Sequence, residues 1–483
     1  MTHSNALELQ EKGSVGYVYI VSAIAAVGGL LFGFDTAIIS GAIGPVVERF
    51  QLNAWEEGWV VSCVLVGCII GAGFAGSLSD WQGRKKVLIG TALFYAVSAI
   101  LSAFPRTVSE LVIARFIGGL AVGVSSMISP VYIAEISPAR IRGRLVSLQQ
   151  MAIVFGIVLA YFVSWLLVEI GDTNWRWMFG SEAFPALTLF VALFMVPESP
   201  RWLTKQGHSD RALGILARVG GAAHARRELA EIEESLAEEQ GSIRELFMPG
   251  LRIALVVGIT LAVLQQITGI NTVIYYGPKI LEKAGYDADS AQLWAQVLIG
   301  TTNCVCTILA LWIIDKVGRK PLLLAGAAGM GLCLVGATFA LPMTELSPNL
   351  KLIFVIGYVA FFAVGLGPTV WVIMAEIFPT KIRGRAMSIA TLSLWVACFA
   401  VSQTFPKLIE LFNENVFWIY ASMCVVMIVF VGLVVPETKG KTLEQIERMW
   451  RRSLRLASLD EPLTGAPPAG EECAAGLSDG RAR

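Results

Sequence analysis

Long apolar runs broken at short intervals by clusters of charge set the pattern of this chain. A helix needs about 20 apolar residues to cross a bilayer. Runs of that size fall at residues 17–44, 58–78, 87–105, 110–134, 146–169 and 177–196, and again at 252–282, 291–313, 322–342, 351–375, 387–410 and 416–435. The pattern predicts an all-α integral membrane protein of twelve transmembrane helices, arranged as two six-helix, pseudo-symmetric bundles. Composition agrees: 55% hydrophobic and 15% charged residues, with a mean hydropathy of +0.66, exclude an ordinary soluble chain of 483 residues.

Three charged strings occur twice, at an offset close to half the chain. DWQGRKK from Asp80, EISPARIRGR from Glu135 and PESPR from Pro197 are answered by DKVGRKP from Asp315, EIFPTKIRGR from Glu376 and PETKG from Pro436. Such a period points to two fused, equivalent bundles with a substrate site between them, near the bilayer midplane. The expected organisation is a cytoplasmic N-terminal segment (1–16), a first bundle (17–196), a cytoplasmic linker (197–250), a second bundle (251–435) and a cytoplasmic tail (436–483). Within the linker, Leu213, Leu216, Leu229, Ile232 and Leu236 fall at loosely helical spacing, which predicts amphipathic helices, although a solvated linker would share the composition. From about Ser458 the tail has too little apolar content to fold.

Lys and Arg cluster after the even-numbered runs, at Arg84, Lys85, Lys86, Arg140, Arg142 and Arg144 and again at Lys316, Arg319, Lys320, Lys381, Arg383 and Arg385. The positive-inside rule places those loops and both termini in the cytoplasm, with the chain multi-pass in the plasma (bacterial inner) membrane. The first apolar run is too long for a signal-peptide core and is expected to remain as the first span. A formal charge of zero shows no basic excess, so no nucleic-acid partner is expected. Seven of the eight cysteines lie in apolar runs and read as small packers, and the eighth, Cys473, lies in the tail. No metal or other cofactor is expected, and no nucleophile constellation inside the spans suggests an enzyme.

Charge in mid-bilayer needs a partner or a purpose. Asp35, Arg115 and Glu182 sit inside apolar runs of the first half, and His3, His208 and His224 all lie outside the runs. Asp35 is either a structural partner of Arg115 or a proton carrier whose protonation frees the helices to rearrange. Glu182 either joins them or lies near the outer interface. The second half offers neutral amides, Gln265, Gln266, Asn271 and Asn303, with aromatic Tyr275, Tyr276, Phe361, Phe362, Trp371 and Trp395 nearby. Carboxamides donate and accept, which suits a neutral, hydroxyl-rich solute; interhelical glue and core packing are the plainer alternatives. Gln265 and Gln266 point about 100° apart, so at least one could face a neighbouring helix. The sequence GLGP at 365–368 predicts a break in the tenth span. Glycines 67, 71, 119 and 123 predict close helix packing. At the charged loops, the pairings Asp80 with Arg84, Glu135 with Arg144, Asp315 with Arg319 and Glu376 with Arg385 predict a gate network that latches the halves together, unless these charges serve topology alone.

These motifs, with PESPRWL at 197–203, QQITGIN at 265–271, GRKP at 318–321 and EIFPTKIRGRA at 376–386, closely resemble the sugar porters of the major facilitator superfamily over residues 17–445, most of all the proton-coupled pentose and hexose symporters. The resemblance implies a sugar site of Gln150, Gln265, Gln266, Asn271, Tyr275, Asn303, Gly367 and Trp371, lined by Phe32, Phe362 and Trp395. It also implies proton coupling at Asp35 with Arg115 as partner. Relatives carry a Gln or Asn before the eleventh-span tryptophan, where this chain has Leu394, which puts the sugar's identity in question. The expected activity is monosaccharide import by proton symport through alternating access, by a monomer in the lipid bilayer; facilitative uniport and sugar sensing without transport are the alternatives.

Overall fold

The computed structural model describes residues 13–238, 251–378 and 383–439. The expected disordered tail with Cys473, the linker residues 239–250, Lys381 and most of the N-terminal segment lie outside the described residues, as does the side chain of Arg383.

The first half comprises α1 (Val15–Phe50), α2 (Ala54–Gln82), α3 (Arg84–Ala103), α4 (Val108–Ile136), α5 (Arg142–Leu167), α6 (Asn174–Ser181) and α7 (Ala183–Leu193). Three connecting helices follow: α8 (Pro200–Lys205), α9 (Ser209–Gly220) and α10 (Ala222–Glu238). The second half holds α11 (Leu251–Ile267), α12 (Ile270–Lys283), α13 (Asp289–Val317), α14 (Arg319–Ala340), α15 (Pro348–Phe361), α16 (Gly367–Ile377), α17 (Arg383–Phe412) and α18 (Val416–Leu433). Among the described residues, ten stretches are long and apolar enough to cross a membrane. The last, Gly384–Leu433, runs 50 residues and contains both α17 and α18, while the interrupted pair α6 and α7 falls below the length required.

Local chemistry sets the ends. Asn53 and Glu56 form a reciprocal capping box at the start of α2. The repeated GRK strings fold alike: Gly83 (φ 94°, ψ 159°) ends α2 and opens α3, and Gly318 (φ 109°, ψ 163°) does the same between α13 and α14. Only glycine takes that backbone without strain, which makes the sharp reversal between consecutive crossings possible. Gly269 (φ 94°) separates α11 from α12. The GLGP break is a π-turn over Phe362–Leu366 ahead of α16.

Helices α2 and α4 pack closely. A Cβ on Gly67, Gly71, Gly119 or Gly123 would run into backbone of the facing helix, so shape alone holds this pair tight. Leu216 and Ile232 form a small core with Leu213, Leu229 and Leu236 between α9 and α10. Trp202 Nε1 donates to the Asp80 carbonyl at 2.9 Å and Lys205 Nζ meets Asp80 Oδ2 at 3.0 Å, docking α8 on the end of α2.

Candidate functional site

Two buried polar centres lie at mid-helix depth, one in each half. In the first, α1 carries Asp35 and α4 carries Arg115, 0% and 1% exposed. Arg115 Nη1 donates to Asp35 Oδ1 at 2.7 Å, and both Nη atoms reach the Asp35 carbonyl at 3.3 and 3.2 Å. The guanidinium also lies 5.5 Å from the centre of the Phe179 ring. Glu182 stands where α6 gives way to α7, 1% exposed, with its carboxyl beside Asp35. It therefore belongs to the buried group and not to an outer interface. Two carboxyl groups share one guanidinium here, so the group is neutral when it holds one proton and carries a net negative charge when it holds none. Burying an uncompensated charge is expensive, so the balance of charge in this centre depends on protonation.

The second centre is a chain of amides. Asn271 Nδ2 donates to Gln266 Oε1, Gln266 Nε2 to Gln265 Oε1 at 3.3 Å, and Gln265 Nε2 to the carbonyls of Leu366 and Gly367 at 3.0 and 3.2 Å. Those last acceptors sit where the π-turn hands over to α16, a wider winding that departs from the regular α-helical ladder. Gln265 is thus the glutamine that faces a neighbouring helix, and Gln266 and Asn271 lie further along the chain of amides. Phe32 of α1 meets Trp395 of α17 with ring centres 5.6 Å apart, joining the halves beside the amides. Trp395 Nε1 is buried without a hydrogen-bond partner, and Leu394 beside it offers none. Gly367 packs against Phe362. Asn303 is buried in α13, with only a long 3.5 Å contact from Thr307, while Gln150 and Trp371 are partly exposed.

Cys398 differs from the packer the sequence suggests: its Sγ accepts from Asn271 Nδ2 at 3.1 Å and lies 3.8 Å from the Tyr275 hydroxyl. A cysteine in an apolar run carries no mark of such a role, since its neighbours come from another helix.

At the end bearing the repeated strings, Arg84 pairs with Asp80 and Glu135, and Arg319 with Asp315 and Glu376. Glu135 and Glu376 are therefore met by Arg84 and Arg319, in place of the expected Arg144 and Arg385, whose residues are exposed. These four pairs stay within their own halves, because the first arginine after the glycine turn stands directly over its half's glutamate. Backbone N–H groups of Arg84 and Lys85 cap onto Glu198, and those of Arg319 and Lys320 onto Glu437. Burial raises the Glu437 pKa, but donation from Lys439, Arg319, Lys320 and Thr438 outweighs it and holds the carboxyl below its usual range.

The halves are cross-linked at the opposite end, by residues that nothing in the sequence singles out. Lys279 Nζ of α12 holds Glu57 of α2 at 2.8 and 3.0 Å. Gln403 of α17 accepts from Ser62 Oγ at 2.7 Å and donates to the Trp55 carbonyl at 3.0 Å. Helices α1 and α12 pack together there as well.

Two bundles clamped at one end around a charged centre and an amide centre are the parts of a secondary membrane transporter. The chain belongs to the sugar (and other) transporter family, whose model matches residues 21–450. It is 43% identical to the arabinose-proton symporter of Bacillus subtilis (strain 168), covering 90% of this chain and 96% of that one. To the D-xylose-proton symporter of Escherichia coli (strain K12) it is 39% identical, with the same coverage. A solved structure described as the partially occluded inward open conformation of the xylose transporter XylE from E. coli matches with a TM-score of 0.79 at 37% identity, over 88% of this chain and all of that one. The proton:xylose symporter XylE bound to 6-bromo-6-deoxy-D-glucose matches at a TM-score of 0.77 and 38% identity, over 90% and 99% of the two chains.

Proposed function

We propose that this chain imports a monosaccharide together with a proton, by exposing a site between its two halves to each side of the membrane in turn. The observation that carries the reading is the buried centre of Asp35, Arg115 and Glu182, which is charge-balanced only with a proton aboard. The names of its relatives support the same reading. Asp35 is the proton carrier, Arg115 the cation that holds its ionised form and Glu182 the second carboxyl. Gln266, Asn271 and Tyr275 meet the sugar's hydroxyls with Trp395 Nε1 as a spare donor, and Phe32, Phe362 and Trp371 cover its C–H faces. Gln150 and Asn303 approach from α5 and α13. Gln265 and Gly367 brace the amides.

Counting α17 and α18 separately and α6 with α7 as one interrupted span gives twelve crossings, with the repeated strings and both termini in the cytoplasm of a bacterial cell. The cross-links at the other end then describe an inward-facing state, and the arginine networks are positioned to latch the halves when that side closes. The protein works as a monomer. A neutral sugar moving with one proton carries one charge, worth about 2.3 kcal/mol per 100 mV. The test is uptake of radiolabelled arabinose and D-xylose into proteoliposomes under an imposed pH gradient and potential. Accumulation above equilibrium with a sugar-evoked proton flux supports symport, whereas equilibration with no proton flux would establish uniport and refute it.

A further inference from the structure

Below the charged centre, toward the end bearing the repeated strings, the first half contains a run of buried polar side chains that the transport reading leaves without a task. Ser98 stands next to Asp35: a Cβ on Gly118 would lie 2.5 Å from Ser98 Oγ and 3.4 Å from Asp35 Oδ1. One turn along α3, the Tyr95 hydroxyl shares a 2.8 Å hydrogen bond with Ser125 Oγ of α4. One turn further along α4 lies Ser129, about 6 Å on. Ser129 Oγ faces the bare backbone of Gly28, and the Gln149 amide faces that of the adjacent Gly29.

Ser129 Oγ and both amide atoms of Gln149 are buried with no hydrogen-bond partner, and the two residues are 0% and 6% exposed. Ser22 Oγ is also unpartnered, seven residues before Gly29 and so on the same face of α1. Unpaired polar groups in a protein interior are destabilising and rare, so a set of them in one line needs a reason. The missing side chains of Gly28 and Gly29 let α1 lie directly against these atoms, so the line of polar groups follows the α1–α4–α5 seam.

We propose that Tyr95, Ser125, Ser129 and Gln149 form a proton route within the first half, leading from Asp35 along the α1–α4–α5 seam toward the end bearing the repeated strings and separate from the sugar site. The inference rests on the symport reading. One proton leaves the Asp35 carboxyl; each hydroxyl, and each water between them, accepts a proton on one side and releases one on the other. Net change is an ionised Asp35, again paired with Arg115, and one proton delivered at the far end. Ser22 continues the line. A separate route lets the proton depart without waiting for the sugar to clear the cavity.

The test uses full-length Ser129→Ala and Gln149→Leu in proteoliposomes, with arabinose and D-xylose as probes and a trapped pH dye. Because these groups have no partners, removing them should leave thermal stability unchanged or raised. Net proton-driven uptake should fall about ten-fold, as a chain of transfers is interrupted, while sugar exchange, which needs no proton release, stays at the wild-type rate. Tyr95→Phe should show the same loss of net uptake with exchange retained, and a lowered thermal stability, because its hydroxyl bonds Ser125. Variants that match the wild type in both assays overturn the route and leave symport standing. An equal loss of exchange and net uptake, with stability retained, assigns these residues to conformational change and also overturns the route. A wild type that moves sugar with no proton flux overturns the symport reading itself, and the route with it.

Discussion

The two halves share a backbone plan and divide the chemistry. In the first half the mid-helix polar groups are ionisable, Asp35, Arg115 and Glu182, and they face one another inside the bundle. In the second they are neutral amides that end on the carbonyls where a π-turn meets α16, and they border the seam at Trp395. On the proposed symport reading, the separation means that a proton and a sugar need not compete for one set of atoms, and that their coupling runs through the packing of α1 against α5 and α12. The ends bearing the repeated strings differ in the same spirit. Glu135 accepts from Arg84 and, at 2.5 Å, from Ser199 Oγ; in the second half Glu376 Oε2, Arg319 Nε and Thr438 Oγ1 are buried without partners among the described residues. One network is saturated and the other has bonds to spare.

The sharpest way to break this comparison is Asp35→Asn, which should abolish accumulation, a loss of about 50-fold per 100 mV for a single charge, and leave exchange intact because the Glu182 carboxylate remains near Arg115 to balance its charge. Vesicle uptake and exchange measured side by side check it. Gln266→Ala or Asn271→Ala should weaken sugar binding by about 10- to 100-fold, the loss of one or two hydrogen bonds that leave a hydroxyl unpaired, with the ratio of protons to sugar unchanged. Titration calorimetry with the detergent-solubilised protein would show it. Glu57→Gln should loosen the clamped end; the lysine is partly exposed, so the shift between states is about ten-fold or less, read from spin-label distances across α2 and α12. The smallest effect separates the two networks. Ser199→Ala should cost about 1–2 kcal/mol, since its hydroxyl both bonds Glu135 and caps α8 at Trp202 N, whereas Thr438→Ala should cost almost nothing. Thermal unfolding of the two variants makes the comparison.

Much of the site is legible in the order of residues alone. Asp35 and Arg115 stand out because charge in an apolar run has few explanations, and the amides stand out for the same reason in weaker form. Gln149, Ser129, Cys398 and the Glu57–Lys279 pair are not legible there. Serine and cysteine are ordinary in spans, Gln149 lies in the early turns of α5, and Glu57 and Lys279 lie near helix ends where charge is expected. The pairing of Glu135 with Arg84 instead of Arg144 is also beyond reach, because sequence distance favours the wrong arginine.

Hydropathy and the doubled motifs alone determined that this chain lies in a membrane as two equivalent bundles: a span must satisfy its own backbone, so its length and composition are written locally. Only the tertiary structure decided which end is cross-linked, which glutamine braces a neighbouring helix and which continues the chain of amides, and that Glu182 joins Asp35. Those outcomes depend on which faces of separate helices meet, and a helix does not carry in its own residues the identity of the neighbour that packs against it.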